Sequence, residues 1–306
     1  MSPSAIPLSV LGGFLGAGKT TLLNHVLAGD HGLSITVLVN DFGSINIDAE
    51  LIANRNGDTV SLANGCACCS IGGNLTAALL AIQRRTEPPD HLLLEASGVA
   101  DPWKIAQIGL AGRAFRLDGI IAVADAEMVR VHACDRYVGD TVRRQLATAD
   151  IVVLNKTDLI SEDDRREVRA WMEREFPRAG LIEAEQARIP AALLLGIATA
   201  RMPPAADAEQ HRHAFESWAY TSEYPLKRKR LIELIEALPR GVLRAKGILC
   251  FDDDPARRTV FQLSGKRTLF AAGEPWGAAS ASNRLVLIGL PGAIDAQALR
   301  QHFESG

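Results

Sequence analysis

Residues 13–20 read GFLGAGKT, a full match to G-x-x-x-x-G-K-[ST]. That spacing suits a phosphate loop. Gly13, Gly16 and Gly18 let backbone N–H groups converge on an anion, with Ala17 and Thr21 in the same turn. Lys19 can reach β- and γ-phosphates, and the Thr20 hydroxyl can hold Mg²⁺. About forty-five residues on, NGCACCS at 64–70 sets Cys66, Cys68 and Cys69 within four positions, in a chain with five cysteines. Soft thiolates select Zn²⁺, Cu(I) or Fe(II)-like ions over Mg²⁺, so a thiolate cargo and a hard nucleotide metal stay chemically distinct. Three ligands from one turn leave a coordination position open, which suits transfer better than a closed structural site of four. A redox pair, Cys66 with Cys69, is the competing chemistry.

Two further segments qualify the phosphate loop. NKTD at 155–158 follows the apolar run IVVL. There Asp158 can accept from guanine N1–H and the exocyclic amine, while Asn155 supports the base edge and Lys156 its stacking; adenine lacks that donor pair. Between the two lies LLLEASG, where Glu95 can polarise the attacking water or hold a Mg²⁺-bound water, and the Gly98 N–H can approach a γ-phosphate. Asp41, ending VLVNDFG, is a second catalytic candidate, balanced against a plain turn-forming role for Asn40 and Asp41.

The elements that must carry these residues are short apolar runs alternating with helix-compatible stretches. PLSVL, ITVLVN, DTVSLA, HLLLEA, GIIAVADA and IVVLNKTD predict an α/β fold, a P-loop NTPase with a mainly parallel sheet and helices on both faces. In such sheets ligands sit at the carboxyl ends of strands, where GAGKT, ND, EASG and NKTD all fall. Residues 1–200 form the nucleotide domain, and 201–214, RMPPAADAEQHRHA, read as a linker. Residues 215–306 form a smaller α+β domain. It holds a strand at FESWAY, a helix opened by Pro225 and stopped before Pro239, strands at KGILCFD, RTVFQLS and RLVLIGL, and a last helix from near Asp295. Cys134 and Cys250 read as buried thiols, and KRKR at 227–230 as a solvated helix face.

Composition narrows the class. With 47% hydrophobic residues and a formal charge of −3, the chain supports a well-buried core and gives no reason to expect nucleic acid. No signal-peptide pattern and no apolar run long enough to span a bilayer is present, so the expected location is cytoplasmic, with no membrane partner and with reduced thiols.

Taken together, GGFLGAGKTTLLNHVL, VNDFGSINID, NGCACC, LLLEASGVADP and VVLNKTDL resemble the CobW-like GTPases, a metallochaperone family among P-loop proteins. LPRGVLRAKGIL and NRLVLIGL resemble that family's C-terminal region. The resemblance implies GTP binding, slow hydrolysis to GDP, and Zn²⁺ or a related divalent ion such as Co²⁺ held at Cys66, Cys68 and Cys69 for delivery to a metal-dependent client protein. It implies phosphate and Mg²⁺ roles for Gly16 to Thr20, a Walker B-like role for Glu95, and base recognition by Asn155 and Asp158. A metal- or GTP-linked homodimer is compatible with the same pattern. Two departures stand out: Asp41 replaces a glutamate common in relatives, and the histidine-rich linker of many relatives is reduced to His211 and His213 around Arg212. A non-catalytic metal buffer or client adaptor stabilised by GTP is the alternative function, and a small-molecule kinase or ATPase is disfavoured by NKTD.

The base-reading assignment yields a test. Asp158→Asn presents a donor to the donor edge of guanine but matches the carbonyl of xanthine. GTP affinity is expected to fall by roughly tenfold or more as charge-assisted hydrogen bonds are lost, with preference passing to xanthosine triphosphate in a competition assay. A variant that keeps the parent's margin for GTP would move base reading elsewhere.

Overall fold

A computed structural model describes residues 5–29, 32–40, 57–62, 71–111, 114–195, 216–277 and 280–304. The chain divides into two compact units, Met1–Leu195 and Gly196–Gly306.

The first unit is built on seven strands: β1 (Ile6–Gly13), β2 (Ile35–Asn40), β3 (Gly57–Leu62), β4 (His91–Glu95), β5 (Phe115–Asp125), β6 (Ile151–Asn155) and β7 (Gly180–Ala184). They pair in the order β3-β2-β4-β1-β5-β6-β7, every pair parallel. The helices are α1 (Lys19–Ala28), α2 (Ile71–Gln83), α3 (Pro102–Leu110), α4 (Val129–Cys134), α5 (Gly139–Thr148), α6 (Glu162–Glu175) and α7 (Ala191–Leu195). Strands covered on both faces read as continuous apolar runs, as HLLLE and IVVLN do, and every residue of β4 and β6 is buried.

Alternation along β1 separates the two faces. Leu8 and Val10 join Leu38, Leu92 and Leu94 in a core closed by Leu75, Leu79 and Ile82 of α2 and Ile105 and Ala106 of α3. Ser9 points the other way. Its buried hydroxyl donates to the Leu194 carbonyl of α7 at 2.8 Å and lies 3.0 Å from His91 Nε2, so the polar group is satisfied inside the fold. A second core joins Ala122 and Ala124 of β5 and Val152 and Leu154 of β6 to α4, α5 and α6. Asp150 laces the strand starts together: its carboxylate accepts from Ile120 N–H at 2.7 Å, its own N–H donates to Ile120 O, and its carbonyl accepts from Gly180 N–H.

The second unit is an antiparallel sheet of β8 (Glu216–Ser222), β9 (Val242–Phe251), β10 (Asp254–Ser264), β11 (Arg267–Pro275) and β12 (Asn283–Gly289), ordered β11-β10-β9-β12-β8. Two helices, α8 (Arg228–Ala237) and α9 (Ala296–Glu304), bury Leu231 and Leu299 in a core with Trp218, Phe251, Phe261 and Leu285. Asp295 caps α9 by accepting from Gln297 and Ala298 N–H.

Two expectations are corrected here, and the solvated KRKR face gains surface ion pairs. Helix α8 opens at Arg228 rather than at Pro225, because Leu226 is held in a parallel bridge to Phe251 and exchanges backbone bonds with Cys250 and Asp252. Cys134 is exposed, whereas Cys250 is buried; α4 buries only Val129 and Ala133 and ends at Cys134. The run KRKR is partly paired: Arg228 forks onto Asp253 at 2.6 and 3.0 Å, and Lys229 faces Glu233. That fork holds the Asp253 carboxyl below its usual range. The proposed linker, 201–214, lies outside the described residues.

Glycine geometry at the end of β1 gives a clean comparison. Gly13 has φ +132°, and a Cβ there would sit 2.2 Å from Val123 O; Gly16, at φ +75°, has open space around it. Gly13→Ala is expected to destabilise the fold by about 3 kcal/mol or more, combining overpacking with backbone strain. Gly16→Ala bears only the left-handed strain, about 1–2 kcal/mol. Thermal unfolding without nucleotide measures both, and equal losses would refute the geometry.

Candidate nucleotide site

Because all seven strands run the same way, their carboxyl ends share one edge, and register fixes who meets whom there. Leu11 of β1 lies opposite Glu95 of β4, Gly13 opposite Val123 of β5, and Asp125 opposite Asn155. Phosphate-loop, acidic and NKTD residues, distant in sequence, are thereby brought together. Asn40 pairs with Leu62 and Val39 with Glu95, so β3 also ends at this edge, two strands from β4 or about 10 Å. The chain leaves Leu62 toward the cysteine segment. Cys66, Cys68 and Cys69 themselves, with Asp41, His211 and His213, lie outside the described residues. Among the described residues no group of three or more His, Cys, Asp or Glu side chains could hold a metal.

The 13–18 turn has the shape of an anion cradle. Gly13, Gly16 and Gly18 all take positive φ, and α1 starts at Lys19 with no side chain capping its N-terminus. The first N–H groups of α1 therefore lack a capping side chain, and the helix dipole favours negative charge there. Lys19 is buried, its ammonium donating to Gly13 O at 3.0 Å and Phe14 O at 3.3 Å. Thr20 is half-buried and Thr21 exposed. These features fit a bound nucleotide phosphate.

Beside the cradle, Glu95 is 2% exposed. The turn that follows it is pinned on several sides. Ala96 N–H donates to Leu11 O at 2.8 Å, Ala100 N–H to Ser97 O at 2.9 Å, and a Cβ on Gly98 would meet Leu15 at 2.4 Å. Asp101 caps α3 by accepting from Trp103 N–H. Ser97 Oγ is buried without a hydrogen-bond partner among the described residues. A buried carboxylate and an orphaned hydroxyl beside a phosphate cradle fit a hydrated divalent cation.

At the NKTD segment the geometry refines the sequence reading. Both ends of the buried Asn155 amide face protein: Nδ2 donates to Ala17 O at 2.9 Å and Oδ1 accepts from Ala187 N–H at 2.6 Å. Asn155 thus braces the phosphate turn and the turn after β7 against each other. Gly18 is required by that brace, since a Cβ there would lie 2.5 Å from Asn155 Nδ2. Lys156 takes φ +64°, uncommon for a side-chain-bearing residue, and its ammonium is 2.5 Å from Asp125 Oδ2. Asp158 is exposed on the 3₁₀ turn Thr157–Leu159, open to a ligand.

Four residues that shape the site escaped the sequence reading. Asp125 anchors Lys156 and caps its own turn by accepting from Glu127 N–H. Gln186 and Ala187 sit consecutively at positive φ after β7, and Ala187 O also meets His25 Nδ1 at 3.3 Å. Gln145 of α5 reaches the turn after Glu95. The D-x-E spacing at 125–127 after an apolar strand could have flagged Asp125; a lone Gln or a Gln-Ala pair carries no comparable signal.

Residues 7–182 match the CobW/HypB/UreG nucleotide-binding domain, and residues 215–306 match the cobalamin synthesis protein CobW C-terminal domain. The chain is 32% identical over 313 residues to the zinc chaperone YjiA of Escherichia coli K12, covering 95% of each chain. It is 32% identical over 328 residues to the zinc chaperone CobW of Pseudomonas aeruginosa, covering 93% of this chain and 87% of that one. Over 320 residues it is 27% identical to the zinc-regulated GTPase metalloprotein activator 1 of Dictyostelium discoideum, covering 85% and 66%. With the cradle, the acidic turn and the NKTD segment gathered at one sheet edge, the chain belongs to the CobW/HypB/UreG family of P-loop GTPases.

Proposed function

We propose that this GTPase is a metallochaperone: GTP hydrolysis is coupled to binding Zn²⁺, or a related ion such as Co²⁺, and to handing it to a client protein. Gly13, Gly16, Ala17, Gly18, Lys19, Thr20 and Thr21 cradle the phosphates, with Gly98 at the γ-phosphate side. Lys156 and Asp158 receive the guanine on the frame that Asn155 braces. Thr20 and Glu95 would hold Mg²⁺, which would supply charge neutralisation for the phosphates. Glu95 orients the attacking water, with Asp41 as the second candidate for that task. Cys66, Cys68 and Cys69 hold the cargo through soft thiolates.

The observation that carries the coupling is the shared sheet edge. The cysteine segment departs from Leu62, two strands from Glu95, so its anchor belongs to the same rigid frame as the γ-phosphate side of the site. A segment that follows this strand end so closely in sequence can respond at its thiolates when GTP becomes GDP. The names of the relatives, zinc chaperone and zinc-regulated GTPase metalloprotein activator, support the same reading.

Two outcomes test it. Lys19→Ala is expected to abolish measurable hydrolysis and weaken GTP binding by on the order of 2 kcal/mol or more; unchanged GTP affinity would remove Lys19 from the site. A competition titration with a chromophoric Zn²⁺ chelator is expected to show tighter Zn²⁺ with a non-hydrolysable GTP analogue than with GDP, by roughly 5- to 150-fold for a coupling of ~1–3 kcal/mol. The triple change of Cys66, Cys68 and Cys69 to Ser removes the tight Zn²⁺ site and leaves GTP binding intact. Equal Zn²⁺ affinities in both nucleotide states would reduce the protein to a metal buffer.

A further inference from the structure

Gln145 lies on α5, 2% exposed and more than forty residues along the chain from the acidic turn that it contacts. Its side-chain amide has two N–H donors, which reach two carbonyls of one turn: Gly98 O at 3.1 Å and Ala100 O at 2.9 Å. A simple buried glutamine needs only some partner. This one grips the residues on either side of Val99, which is itself 45% exposed.

The consequence follows from peptide geometry. Ser97 O accepts from Ala100 N–H inside the turn, and a trans peptide sets the Gly98 N–H on the side opposite that carbonyl. Gln145 fixes the next carbonyl, at Gly98, toward α5. On its other side the turn abuts the phosphate loop, where Gly98 leaves no room for a Cβ against Leu15, and Gly12 leaves none against Pro102 just beyond. The turn is thus held between the phosphate loop and α5, with its peptide planes set before any nucleotide arrives. Without the glutamine donors, two carbonyls lose their partners and the planes around Val99 are free to rotate.

We propose that Gln145 is a positioning residue for GTP hydrolysis: it clamps the 96–100 turn so that the Gly98 N–H and Glu95 are preset for the γ-phosphate and the attacking water. This rests on the reading of Glu95 and Gly98 given above. Its prediction is selective. GDP makes no demand on the clamp, whereas the triphosphate and its hydrolysis do, and misplacement of about 1 Å at a reacting centre can lower a rate by roughly a hundredfold.

The experiment uses the full chain with Gln145→Leu, which keeps bulk and removes both donors, and Gln145→Glu, which keeps shape. Leu146→Ala on the same buried helix serves as a control for lost stability. In Gln145→Leu, kcat is expected to fall roughly tenfold or more and the affinity ratio of a non-hydrolysable GTP analogue to GDP to drop, while GDP affinity stays within about twofold. In Gln145→Glu an ionised carboxylate repels both carbonyls, but a protonated one donates to one of them. Burial raises such a carboxyl toward neutrality, so its kcat relative to the parent should recover as pH falls from about 8 to about 6. The leucine variant should show no such recovery. Parental kcat and nucleotide ratio in Gln145→Leu would overturn the clamp, as would an equal kcat loss in Leu146→Ala. Glu95→Gln separates the two levels: if it slows turnover while Gln145→Leu does not, the clamp fails alone; if neither changes turnover, the reading of the acidic turn fails with it.

Discussion

Parallel pairing is the constraint on which the N-terminal unit depends. Strands that all run one way must all end at one edge, and the order β3-β2-β4-β1-β5-β6-β7 puts the phosphate turn after β1 between the acidic turn after β4 and Asp125 at the end of β5. No side chain has to be carried far. Register alone brings Leu11 to Glu95 and Asp125 to Asn155, and the helices serve to cover the apolar faces of strands that are buried throughout. A single slip between β1 and β4 would move Glu95 relative to the cradle and turn Ser9 out of its pocket against Leu194.

Much of this was readable in advance because the signals were local. Six of the seven parallel strands were expected from short stretches of sequence, most of them rich in apolar residues as HLLLE and IVVLN are, although β3, GDTVSL, is half polar, and the motifs near several strand ends mark where the chain turns. Strand β7, GLIEA, escaped because five residues with an alternating burial pattern give little contrast with the helix before them. Strand β11 escaped because it is a sheet edge paired only to β10 and mostly exposed, so nothing selects an apolar pattern along it. The start of α8 was misread for a tertiary reason: Pro225 is a sound helix opener, yet the bridge of Leu226 to Phe251 holds the chain extended for two residues more.

Within the site, legibility followed the same line. Lys19, Glu95 and Asp158 announce themselves by motif, but the groups that hold them in place do not. Asn155 was expected at the base edge and is found bracing Ala17 and Ala187; Gln145 and Asp125 act through contacts made across the fold. Such positioning groups are selected by distance in three dimensions, which leaves no spacing rule for Gln145 and only the short D-x-E after β5 for Asp125.

The brace at Asn155 also bears on how this sequence can drift over generations. The Asn155 amide fills the space where a side chain at residue 18 would begin, and its oxygen depends on a backbone N–H presented by a residue at positive φ, Ala187. Residue 18 can therefore leave glycine only if residue 155 gives up its amide, and residue 155 can change only if Ala17 and Ala187 find other partners. Positions 17, 18, 155 and 187 behave as one inherited unit spread over 170 residues of chain, so a recombination joint placed anywhere between the phosphate turn and β6 would separate parts that function only together.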